Sequence, residues 1–210
     1  MVEVKRLLRE TIWSRVYLSS GGMQMYESKL RDADSVPTLH FVEKAWHEWT
    51  QPERFDFAKA FAARKRISTK DEEVLKFLIS DDDDIIASAV ATSVGRIHDS
   101  RSAAELLRKR MSSCKEPRAN FYTALARFEN DPLVLSALEG EYRRLEKLFR
   151  NEQNDLYVAV DYFECASSLA KLTRSKMYLE TIKAHASKHE NRAIRQAARS
   201  TLNSPPARTG

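Results

Sequence analysis

Tyr157, Asp161, Glu164, Ser168 and Lys171 follow one another at intervals of four, three, four and three residues. That spacing lines them along one face of a helix. Two carboxylates one turn apart beside an aromatic ring suit general-base chemistry, capture of a cation or the grip of a basic partner. Asp161 and Glu164 are therefore the candidate catalytic residues. Tyr157, Asp161, Glu164 and Lys171 form the first candidate binding face. A second face is cationic: Arg192, Arg195 and Arg199 share one helical side, with Lys188 and His189 just before it. Guanidinium forks of this kind clamp phosphate or carboxylate. Arg108, Lys109 and Arg110, with Lys115 and Arg118, make a further basic cluster. Each of these patterns also suits an ordinary solvated, ion-paired helix surface. Arg143, Arg144, Lys147 and Arg150 alternate with Glu139, Glu141 and Glu146, which fits pairing within one helix.

Other chemistries find no footing. Cys114 and Cys165 are the only cysteines and have no CxxC or Cys–His spacing. They suit a reducing compartment and signal neither a zinc site nor a disulfide framework. No Gly-rich phosphate loop and no Gly-x-Ser-x-Gly elbow occurs. No metal and no cofactor is expected. The first ten residues are charged and lack the apolar core of a secretory signal. No run approaches the ~18 apolar residues of a membrane span. The expectation is a cytoplasmic protein with no membrane partner.

The elements that must position these residues are helices. Five Gly and six Pro in 210 residues are few for a β-sandwich or an α/β enzyme. Helix starts are well marked. Thr50 precedes Pro52 and Glu53, and Ser68 and Thr69 are followed three residues later by Asp71 and Glu72, a capping-box pattern. The run Asp81–Asp84 before Ile85 and Ile86 suits a helix N-terminus, where carboxylates accept free N–H groups. Pro117 and Pro132 suit a first turn. Between these marks the apolar period is helical. The spacing predicts pairs at 3–18 with 23–33, 37–49 with 52–66, 70–80 with 83–97, 102–112 with 117–129, 132–150 with 155–172 and 175–188 with 191–203. Short polar breaks between them give antiparallel neighbours. Trp46, Trp49, Phe41 and Phe55 concentrate aromatic mass near the second pair, chiefly as core. The tail 204–210, with Pro205 and Pro206, cannot continue a helix and is expected to be mobile.

An internal echo supports stacking. Val94-Gly95-Arg96-Ile97, Leu125-Ala126-Arg127-Phe128 and Leu169-Ala170-Lys171-Leu172 each read apolar, small, basic, apolar, at intervals of 31 and 44 residues. Such periods belong to helical repeats. The stretch from Leu75 to Asp99 resembles a HEAT repeat, with a Leu-rich first helix, an acidic turn and an Ala-rich second helix ending in Val-Gly. Asn191 to Leu202 resembles another second helix. The resemblance implies an all-α fold: antiparallel helix pairs stacked as a short HEAT-like α-solenoid. It implies one helical-repeat domain over 1–203, less regular over 1–50 and repeat-like over 51–203.

Charge is uneven. Residues 1–105 carry a net −2 and residues 106–210 a net +7, of which the last 38 residues supply +6. A basic end suggests an anionic partner. The leading functional expectation is a non-enzymatic protein-interaction module, an adaptor or immunity-type protein that presents a curved helical surface to a protein partner. The alternative is a nucleic-acid-binding protein similar to HEAT-like alkylpurine DNA glycosylases, which use an Asp with aromatic neighbours and an Arg. Asp161 beside Tyr157, with Arg195 or Arg199, would imitate that set. Two His-Glu dipeptides, His47-Glu48 and His189-Glu190, fall short of the four that HEAT-like deoxyhypusine hydroxylases use for iron.

Overall fold

The computed structural model describes residues 39–115 and 119–203. The expected pair 3–18 with 23–33, the tail 204–210, Pro117 and Arg118 lie outside the described residues. Within them are ten helices and no strand. The helices are α1 (Leu39–Trp46), α2 (Gln51–Ala62), α3 (Thr69–Ile79), α4 (Asp84–Val94), α5 (Ser100–Ser113), α6 (Ala119–Leu125), α7 (Pro132–Asn151), α8 (Leu156–Thr173), α9 (Lys176–Lys188) and α10 (Arg192–Asn203). They fall into two compact units that divide between His98 and Asp99.

In the first unit α3 packs on α4, α2 on α4, and α1 on α3. Helix starts follow the sequence marks. The Glu53 carboxylate accepts the Thr50 N–H at 2.7 Å, and the Asp71 carboxylate accepts the Ser68 N–H at 2.7 Å. The buried Asp71 also meets Arg64 at 3.0 Å, an ion pair with almost no solvent access. Asp83 accepts from the N–H of Ile85, and Asp81 takes the Trp46 indole N–H at 2.6 Å. Two members of the acidic run are thus fixed by structural bonds. Trp46 is buried against Phe57 and Phe77, as the core reading requires.

In the second unit α5 packs on α6, α7 on α8 and α9 on α10. These pairs stack: α5 meets α7, α6 meets α8, and α8 meets α10. First helices therefore touch first helices and second helices touch second. Asp99, Asp131 and Asp155 cap α5, α7 and α8 by accepting N–H groups of the first turn. Phe121, Tyr122, Leu138, Leu145, Phe163, Ile182 and Ile194 fill the core at 1% exposure or less.

The first two members of the sequence echo share one backbone device. After α4 the N–H groups of Arg96 and Ile97 bond to Ser93 and Val94, and after α6 those of Arg127 and Phe128 bond to Ala124 and Leu125. Both are tight three-residue closing turns. In the third member the α-helix runs on through Thr173 and ends at the left-handed Arg174. The longer α8 has no such closure at the same point.

Candidate functional site

Sequence reasoning sets Tyr157 to Lys171 on an outward face of α8. The structure divides that face. Tyr157 is 85% exposed, whereas Asp161 and Ser168 are buried. Glu164 is half-buried and accepts a hydrogen bond from Thr201 Oγ1 on α10 at 2.9 Å. Lys171 is half-buried. The reason is packing: α6, α7, α9 and α10 all lie against α8, so little of it faces water. Asp161 stands close enough to Tyr122 and Cys165 for its charge to push both acids up, second to burial and Glu141. Cys165 is a core thiol whose Sγ points to the Leu138 carbonyl.

The basic end divides as well. Arg195 Nη1 donates to the carbonyls of His189 and Glu190, and Arg199 Nε donates to that of Ala186 at 3.2 Å. Both guanidiniums therefore close the C-terminal end of α9, where helix carbonyls lack partners and the dipole is negative. The first unit uses the same device twice. Arg54 donates to the carbonyls of Trp46 and Trp49 after α1, and Arg96 to those of Arg64 and Lys65 after α2. Lys188 and Arg192 are exposed and make no side-chain bond among the described residues.

Next to this end lies an aromatic cluster. Phe149 stacks on His189 and meets His185 edge-on, and the two imidazoles are 5.7 Å apart. Tyr142 and Tyr162 stack at 5.2 Å and share a hydrogen bond at 3.1 Å. Burial, then the neighbouring His189, lowers the His185 pKa. His189 Nδ1 accepts the Asn191 N–H at 3.1 Å. No group of three or more His, Cys, Asp or Glu able to hold a metal occurs among the described residues.

The open site lies elsewhere, between α5 and α7. Glu105, Arg108, Lys109 and Ser112 fall at helical spacing along α5, and Ser136, Ala137, Gly140 and Glu141 along α7. Together with Met111 they line a groove of about 500 Å³. That volume lies in the range of ligand clefts. Glu141 is already engaged: it takes a fork from Arg144 at 2.8 and 2.6 Å and the Tyr122 hydroxyl at 2.9 Å. Glu105, Arg108 and Lys109 are not, for none makes a side-chain bond among the described residues. The buried Nε of Arg108 has no acceptor among the described residues.

The floor of the groove is unusual. Gly140 sits in the middle of the twenty-residue α7, and a Cβ built on it meets nothing within 4 Å. A helix-interior glycine costs about 1 kcal/mol relative to alanine, and no neighbour in the fold requires it. A smaller cavity of about 160 Å³ adjoins, shared through Met111, Ser112 and Glu141 and backed by Tyr122 and Arg144. Sequence reasoning found Arg108 and Lys109 as a basic cluster. It missed the groove because no spacing within one helix shows which neighbour will stop short of it. Gly140 was the available signal, a glycine inside a strong helical pattern.

No family model, curated protein or solved structure matches the chain.

Proposed function

We propose that the chain is a non-enzymatic, HEAT-like interaction module that takes a protein partner in the α5–α7 groove. The observation that carries this reading is the groove's combination of unpaired charge and a glycine floor. Glu105, Arg108 and Lys109 make no side-chain bond among the described residues, and Gly140 lets another backbone come close to α7. The candidate catalytic carboxylates lend less support to an enzyme, since Asp161 is buried and Glu164 is bonded to Thr201.

The test is capture of a partner from the source cell by the immobilised full chain. The reading expects one stoichiometric protein, lost when Gly140→Leu fills the groove. A partner retained by Gly140→Leu places the contact elsewhere, and recovery of nucleic acid alone overturns the reading.

One observation favours a second reading, nucleic-acid binding. Among the described residues Arg108, Lys109, Lys188 and Arg192 are cations without a counter-ion. Binding of duplex DNA would weaken steeply with salt and fall further on Arg108→Ala and Arg192→Ala. No retardation of a DNA probe at ~50 mM salt removes this branch.

A further inference from the structure

We propose that the occupant of the α5–α7 groove is a second copy of this chain, paired about a two-fold axis. The proposal rests on the reading of the groove as a docking surface. An occupant must meet three conditions. It must come close to the α7 backbone over Gly140, where open space stands in place of a side chain. It must set a cation opposite Glu105 and an anion opposite Lys109. It must also cover the half-buried Met111.

The α5 face of the chain itself meets the charge condition at Glu105 and Lys109. Glu105 and Lys109 are exposed, lie one helical turn apart and carry opposite charge. They stand in the order that favours pairing within a helix, yet they do not pair. Turned end for end, a second α5 sets its own Lys109 against Glu105 and its own Glu105 against Lys109. Both contacts form at once, which is the signature of an isologous interface. A purely anionic occupant would leave Glu105 facing like charge, and a purely cationic one would leave Arg108 and Lys109 so. The near neutrality of the groove thus selects a partner with both signs in reversed order. Glu141 adds no net demand, because Arg144 already covers it.

Sedimentation equilibrium on the full chain tests this. The wild-type chain is expected to be a dimer at about 0.5 mM and to dissociate on dilution. Gly140→Leu should be monomeric with an unchanged helical circular dichroism spectrum. Glu105→Lys and Lys109→Glu should each weaken association about tenfold or more. An equimolar mixture of those two variants should associate again, since every cross-contact then joins opposite charges. A monomeric wild-type chain at that concentration overturns the proposal, as does a mixture that associates no better than either variant alone. The two readings fail separately. A monomer whose captured protein is lost on Gly140→Leu removes only the second copy, whereas capture indifferent to Gly140→Leu removes the groove for any partner.

Discussion

The α9–α10 junction and the α5–α7 groove each hold adjacent cations, and they use them in opposite ways. At the junction Arg195 and Arg199 reach a helix C-terminus and saturate its carbonyls. In the groove Arg108 and Lys109 have neither a carbonyl nor a carboxylate partner among the described residues. The junction is the more basic of the two by sequence, yet most of its guanidinium capacity holds the fold together. Charge density along a chain therefore does not locate a binding surface. What decides is whether a helix end lies within reach of each cation.

Substitutions can break this contrast or sharpen it. The largest effect is expected for Ile182→Ala, which removes a fully buried anchor of α9. It should cost about 2–5 kcal/mol, read from urea unfolding. Arg195→Ala should cost about 1–2 kcal/mol, because two carbonyls lose a charged donor. Arg108→Ala should stay within about 0.5 kcal/mol of wild type. Equal losses at Arg195 and Arg108 would erase the distinction between the two regions.

Acid should touch the junction selectively. Burial and His189 lower the pKa of His185 below its ordinary 6.5. The unfolded chain therefore takes up this proton first, and the stability it contributes is complete above about pH 6.5. It declines as pH falls from 6.5 toward the folded-state value. His185→Gln should flatten that slope in urea midpoints measured across pH, whereas Gly140→Ala should leave it unchanged. Gly140→Ala itself should raise stability by about 0.5–1 kcal/mol, since the added methyl meets open space. A loss there would mean that α7 needs the glycine internally.

The helices were largely legible because their starts carry side-chain caps. Ser68, Asp83, Asp99, Asp131 and Asp155 each accept N–H groups where the sequence changes from polar to periodic. Their ends were less so. The sequence predicts a second helix over 52–66, but α2 stops at Ala62 because Asp71 draws Arg64 into a buried pair. Likewise 117–129 exceeds α6, whose last residues tighten into three-residue turns. The split of the Tyr157–Lys171 face was not legible at all. Period gives the sides of α8, but only the tertiary stack shows that α10 covers Glu164 through Thr201.

The arginine locks also differ in their reach along the chain. Arg54 closes α1 from eight and five residues downstream, and Arg195 closes the end of α9 from six and five. Each of these helix ends is closed from within its own short segment. Arg96 is different, for it must return across 31 and 32 residues to reach the end of α2. A local opening that carries Arg96 away would therefore unseal α2 while α1 stays closed.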